Sequence, residues 1–93
     1  NMGMISMTRT LAIELAPRKI TVNCIAPGVV VTEMLRETMN VTDEQAKQMF
    51  DQVIPLGRTG TPDDCAAAAL LFASPAGRWI TGQFIDVAGG QPT

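Results

Sequence analysis

The segment Ile20–Ala26 (ITVNCIA) constrains the fold most. It is rich in β-branched residues and nearly continuous in apolar character, the pattern of a strand covered on both faces. Pro27-Gly28 ends it, because Pro cannot donate to a ladder and Gly frees the backbone to turn. A second run, Gln83–Val87 (QFIDV), reads as a final strand before Gly89-Gly90 and a short tail. Everything between the two is helical or turn-like in pattern, so the strands are joined by crossovers through helices, the connection of an open parallel α/β sheet. Each strand would need neighbours on both edges. The chain is therefore expected to be the last third of a doubly wound domain, with no internal repeat, low-complexity tract or linker.

The helices are marked by period and by caps. Met2–Ala16 carries Met4, Met7, Leu11 and Leu15, with Ile5 and Ala12 beside them, at the 3.6-residue spacing of a packed helix, and Pro17 ends it. Met2 and Ile13 project nearly opposite that stripe, so one face suits a sheet and the other a partner helix. Val29-Val30-Val31 leads into Thr32, an expected N-cap for a short helix through about Met39. Thr42 and Gln45 form an expected capping box for an amphipathic helix over Asp43–Val53, striped by Ala46, Met49, Phe50 and Val53. Two short capped helices joined by Asn40-Val41 read as a mobile flap rather than core. After the turn-rich PLGRTG (Pro55–Gly60), Thr61-Pro62-Asp63-Asp64 opens the best-signalled helix: an N-cap hydroxyl, Pro where its missing N–H costs nothing, then two acids on the positive end of the dipole. Its body, Cys65–Ala73, is nearly all Ala, Leu and Phe and is expected to be buried on most sides, with Ser74-Pro75 as the stop. Gly77–Gly82 reads as a loop anchored by Trp79 and Ile80.

Composition narrows the chemistry. The 93 residues contain no His and no Tyr. A Ser-His-Asp triad, a Cys-His pair, a His-ligated metal and a phenolic proton donor are all excluded from this chain. Seven Lys+Arg are scattered against nine Asp+Glu, for a net charge of −2, which gives no basic stripe for a nucleic acid backbone. No apolar run approaches the roughly 20 residues that span a bilayer, and no signal-peptide pattern opens the sequence, so a cytoplasmic, soluble chain without membrane or nucleic acid partners is expected. Cys24 and Cys65 read as two reduced, buried thiols rather than a disulfide, and no metal site is expected.

Taken together, TRTLAIELAPRKITVNCIAPGVVVTEM, IPLGRTGTPDD, ALLFAS and WITGQFIDVAGG resemble the C-terminal portion of the short-chain dehydrogenase/reductase family, and are similar to its 3-oxoacyl-reductase-like members. The resemblance runs from Asn1 to about Gly90. It implies a Rossmann-type sheet, with 1–93 as the C-terminal segment of a single domain: the nicotinamide side of the site, a substrate flap at 32–53, and an oligomer-contact helix and strand within 61–87. It also implies an oxidoreductase that uses NAD or NADP and moves hydride between the nicotinamide and a carbonyl or secondary alcohol carbon. In such enzymes an upstream glycine-rich turn holds the phosphates, and a Ser, a Tyr and a Lys carry the proton chemistry. The glycine-rich turn, the Ser and the Tyr are not in this chain, and counting back from Thr8 sets Asn1 at the position of the family Lys. Either the sequence begins inside the catalytic motif with an altered first residue, or the parent protein departs from the pattern. No residue here is assigned as catalytic, and the 93 residues alone are expected to be inactive.

For Pro27-Gly28 and Thr32 the residues alone leave two accounts open, a strand stop with an N-cap or a cofactor loop. The resemblance implies the second, with Pro27 and Gly28 shaping the loop, the Val30 backbone and the Thr32 hydroxyl and amide meeting the nicotinamide carboxamide. Met34, Leu35, Met39 and Phe50 would then belong to the flap over substrate; their other account is plain amphipathic packing. Arg58 reads as a structural Arg beside a helix rather than an anion clamp, Gly89-Gly90 as a chain-end turn rather than an anion nest, and Asp63 and Asp64 as helix-start acids rather than a catalytic pair. A homodimer or homotetramer is expected, with Ala66–Phe72 and Phe84–Val87 lining a two-fold contact and the first helix lining another. The rival from another class is a truncated, non-catalytic module that docks on full-length partners.

Overall fold

A computed structural model describes residues 2–91, in the order α1 (Met2–Leu15), a 3-10 turn (Ala16–Arg18), β1 (Cys24–Pro27), α2 (Glu33–Met39), α3 (Asp43–Asp51), α4 (Pro62–Ala73), a second 3-10 turn (Pro75–Gly77) and β2 (Phe84–Val87). Asn1, set at the position of the family Lys, lies outside the described residues. The two strands pair in parallel, with Cys24 opposite Phe84, Ile25 opposite Ile85, Ala26 opposite Asp86 and Pro27 opposite Val87. The connection between them crosses over through α2, α3 and α4, and α4 packs on both strands while α1 packs on β1. This is the α/β architecture of part of a doubly wound Rossmann-type sheet.

Several expectations are corrected by the packing. The first strand is four residues long rather than seven, because polar side chains replace the ladder ahead of Cys24. The Asn23 amide donates to the Ile80 carbonyl at 3.1 Å and its oxygen accepts from the Gln83 N–H at 3.1 Å. The Val22 N–H, in turn, donates to Thr81 Oγ1 at 3.0 Å. The two segments thus run side by side here, tied by these side chains and by the Gly82 N–H, which donates to the Val22 carbonyl at 2.7 Å. Pro27 is inside the strand rather than beyond it: the N–H groups of Cys24 and Gly28 donate to the Gln83 and Val87 carbonyls at 2.9 Å each. By the two-residue alternation of a strand, the N of Pro27 faces the opposite edge, where its missing N–H costs this pair nothing.

The remaining corrections concern exposed faces and the end of one helix. The flank of α1 turned inward is Ile5, Thr8, Ala12 and Leu15, with Thr8 and Ala12 buried, whereas Met4, Met7 and Leu11 remain exposed. Small residues let this helix approach the turn at Gly82, where an added Cβ would stand 3.5 Å from that of Ala12. The Thr8 hydroxyl is satisfied locally by donating to the Met4 carbonyl at 2.7 Å. Along α4 no residue is buried, and Leu70 is 70% exposed. Trp79 anchors nothing, being 97% exposed. At the other end of the crossover α3 stops at Asp51, and Gln52 and Val53 form a turn in which the Val53 N–H donates to the Phe50 carbonyl at 3.0 Å.

The caps form as their residues dictate. Thr32, Thr42 and Thr61 are all extended, and each side-chain oxygen accepts the N–H three residues on, from Leu35, Gln45 and Asp64. Gln45 and Asp64 close full capping boxes. No helix of the described residues is long and apolar enough to cross a membrane.

Candidate functional site

Both strands end on the same side of the molecule, and two loops meet there. In open α/β sheets ligands bind outside the carboxyl ends of strands. Gly28 is required by this meeting: a Cβ at position 28 would come within 2.7 Å of both Cα and Cβ of Ala88. Beyond it the Val29 carbonyl accepts the Gly60 N–H at 2.9 Å, and Val30 and Gly60 form an isolated parallel bridge. That bond uses the carbonyl of Val29 and leaves the N–H and carbonyl of Val30 itself without a partner among the described residues. Thr32 then caps α2, accepting from the Leu35 N–H at 3.2 Å through Oγ1. Its hydroxyl hydrogen and its own N–H remain available. The N-cap role and a ligand-binding role of Thr32 are thus compatible, since accepting one bond does not consume the donor.

Two cavities open at these strand ends. The first, about 180 Å³, lies between Val29, Ile54, Leu56, Val87 and Ala88. The second, about 440 Å³, lies between the short helices and the following turn and is lined in part by Val31, Arg36, Lys47 and Thr59. Pro27, Gly28, Val30 and Thr32 are brought together as one continuous loop that borders these cavities through Val29 and Val31. The flap residues are not gathered in the same way. Met34 is 76% exposed, Leu35, Met39 and Phe50 are half-buried, and none of the four lines either cavity.

What the residue pattern does not disclose is how firmly the turn between α3 and α4 is held. The Arg58 guanidinium donates to both Asp64 carboxylate oxygens, at 2.7 and 3.1 Å, and to the Thr59 carbonyl at 3.1 Å. Asp64 also accepts from the Thr61 N–H at 2.8 Å and from its hydroxyl at 3.1 Å. From the other side Asp51 accepts the N–H of buried Thr59 at 3.1 Å. The bond from Arg58 and those from Thr61 hold the Asp64 carboxyl well below the usual carboxylate range. The same pairing raises the Arg58 guanidinium above its ordinary value. The only local signal of this cluster is the capping box of Thr61 and Asp64. Nothing in the spacing of Arg58 and Asp64 announces a bidentate pair, because the turn between them has no fixed period. Among the described residues, no group of three or more His, Cys, Asp or Glu is placed to hold a metal ion.

A parallel crossover whose first strand ends in Pro-Gly and feeds a capped helix is an α/β segment of the doubly wound type. Comparison with known proteins makes the class specific. The family model described as enoyl-(acyl carrier protein) reductase matches residues 2–91. The 3-oxoacyl-[acyl-carrier-protein] reductase FabG of Aquifex aeolicus is 43% identical over 88 residues, which cover 95% of this chain and 34% of that protein. Human dehydrogenase/reductase SDR family member 4 is 39% identical over 91 residues, 98% of this chain and 32% of that one. Among solved structures, a hydroxysteroid dehydrogenase from Escherichia coli superposes with a TM-score of 0.82 at 38% identity, covering 96% of this chain and 36% of that chain. An NADPH-bound short chain oxidoreductase from Pseudomonas aeruginosa PAO1 does so at 0.81 and 36% identity. The chain belongs to the short-chain dehydrogenase/reductase family, and it spans about a third of the length of the relatives it matches.

Proposed function

We propose that this chain forms the nicotinamide side of an NAD(P)-dependent oxidoreductase acting on a carbonyl or secondary alcohol. The observation that carries this reading is the loop Pro27–Thr32: a strand end held by Gly28 against Ala88, followed by a peptide unit at Val30 and a hydroxyl at Thr32 that keep free hydrogen-bonding capacity. A carboxamide presents one carbonyl and one NH₂, the complement of the free N–H, C=O and O–H groups there, so the residues fit a nicotinamide. The dinucleotide, when bound, gives or takes the hydride. Val30 and Thr32 bind and orient the carboxamide, which selects the ring face offered to substrate, and Pro27 and Gly28 set the path of the loop. Met34, Leu35, Met39 and Phe50, within the flap 32–53, exclude water from the substrate side. The chain contains no Tyr and no His, and in this reading the substrate proton is moved by a Tyr elsewhere in the parent protein.

The reading also covers the segment's place in the protein: 1–93 as the C-terminal part of one Rossmann-type domain, working in the cytoplasm as a homodimer or homotetramer with 61–87 at a contact. The rival reading, a docking module without catalysis, predicts no cofactor response at all.

The test is Thr32→Val in the full-length protein, which removes one hydrogen bond worth about 0.5–1.5 kcal/mol, or roughly two- to twelvefold in affinity. NAD(P)H affinity, read by nicotinamide fluorescence, should fall within that range while the thermal transition moves by no more than loss of the α2 cap accounts for. Unchanged affinity and unchanged turnover would remove Thr32 from the cofactor site.

A further inference from the structure

The Arg58 cluster has no role in the binding just described, yet it is joined to the Val30 loop by one residue. Gly60 sits between the two: its N–H donates to the Val29 carbonyl at 2.9 Å, and it is the bridge partner of Val30. The residues flanking Gly60 are fixed from both sides. Thr59 is held through its N–H by Asp51 on α3 and through its carbonyl by Arg58. Thr61 is held through its N–H and hydroxyl by Asp64 on α4, and Arg58 ties itself to that same carboxylate with two bonds. A turn secured at both neighbours of Gly60 presents the Gly60 N–H as a fixed donor. Packing is close as well: a Cβ at position 60 would lie 3.3 Å from Val30 Cγ2 and 3.5 Å from the Val29 carbonyl oxygen.

We propose that Arg58 and Asp64 are positioning residues for the nicotinamide: their bidentate pair locks the Thr59–Thr61 turn, and the Gly60 rung transmits that lock to the Val30 peptide that meets the carboxamide. This inference rests on the cofactor reading above. An exposed ion pair adds little to folding stability. Here its effect is geometric, because placing a binding group within a few tenths of an ångström depends on the groups behind it. Lys cannot reproduce the fork of two parallel bonds to one carboxylate, so Arg58→Lys should be only partly functional.

Two ligands separate positioning from general damage. NAD(P)H carries the nicotinamide. ADP-ribose, or its 2′-phosphate if the enzyme prefers NADP, carries the rest of the dinucleotide and makes no carboxamide contact. Arg58→Ala and Asp64→Asn in the full-length protein should weaken NAD(P)H binding about three- to tenfold while changing ADP-ribose binding less than twofold, and Arg58→Lys should fall between wild type and Arg58→Ala. Asn keeps an acceptor for the Thr61 N–H, so Asp64→Asn stays folded if Arg58→Ala does not. Gly60→Ala, which sets a methyl group against Val30, should show the same selectivity. Equal losses for both ligands, or no loss for either, would overturn the lock. Thr32→Val measured alongside distinguishes the two levels: if it alone weakens NAD(P)H selectively, the cofactor reading stands and the lock is wrong. If no variant, Thr32→Val included, alters the preference for NAD(P)H over ADP-ribose, the cofactor reading fails and the lock with it.

Discussion

Gly28 shows how one missing side chain decides where two strands end. The approach of Ala88 to within 2.7 Å of a Cβ at position 28 leaves no room for even a methyl group. Gly28→Ala should therefore push apart the strand ends that meet at the Gly28 N–H to Val87 carbonyl bond. Overpacking of this kind costs about 1–3 kcal/mol, which urea unfolding of the full-length protein will register as a lower midpoint with an unchanged slope. Gly89 belongs to the same junction, with φ +63°, and its carbonyl accepts the Leu56 N–H at 2.9 Å. Thr32, Thr42 and Thr61 were readable in the sequence as helix caps because their chemistry is local: hydroxyls whose partners lie three residues away. Asn23 and Trp79 were not. Asn23 acts on Ile80 and Gln83 across the fold, and the exposure of Trp79 depends on what surrounds it rather than on its own hydropathy.

At the scale of elements, α4 is built from its first turn. Thr61 caps it, Pro62 occupies its first position and Asp64 closes the capping box while holding Arg58. Thr61→Ala removes the cap and should cost about 1 kcal/mol, read as a lower thermal midpoint. Acid should act on the same turn in a definite direction. The folded-state value of Asp64 lies well below its ordinary value of 3.8, so its contribution is fully present above about pH 4 and is lost as pH falls toward the folded value. The stability gap between wild type and Asp64→Asn, measured by unfolding between pH 7 and pH 2, should stay constant down to about pH 4 and narrow below it. A gap that widens with acid would contradict the direction of the shift. The buried face of α1 differs from the expected one: the period of large apolar residues points to Met4, Met7 and Leu11, but close packing selects small ones, so Thr8 and Ala12 are the buried pair. A stripe of hydrophobic residues identifies a helix more reliably than it identifies the side that packs.

The whole molecule carries far more surface than a compact chain of its size. Its accessible area of 6721 Å² exceeds the roughly 5,200 Å² expected for 9.9 kDa, and its radius of gyration of 15.8 Å exceeds the roughly 12 Å of a compact domain. Only Ala12, Ala46 and Ile54 form a buried apolar core among the described residues. Met2 at 83%, Ile13 at 75% and Leu70 at 70% exposure head a set of open apolar positions on α1 and α4. On the proposed reading these positions face the remainder of the domain and other copies of it; the strands, which read as covered on both faces, are only partly buried here. The fold class was legible because strand composition reports the environment a segment needs, while burial itself reports what is present. The measurement that tests the account most directly is a crystal structure of the full-length protein with NAD(P)H bound. It should place the nicotinamide carboxamide within hydrogen-bonding distance, about 2.7–3.2 Å, of the Val30 backbone and of the Thr32 hydroxyl or N–H. A nicotinamide bound away from Pro27–Thr32, with neither residue in contact, would contradict it.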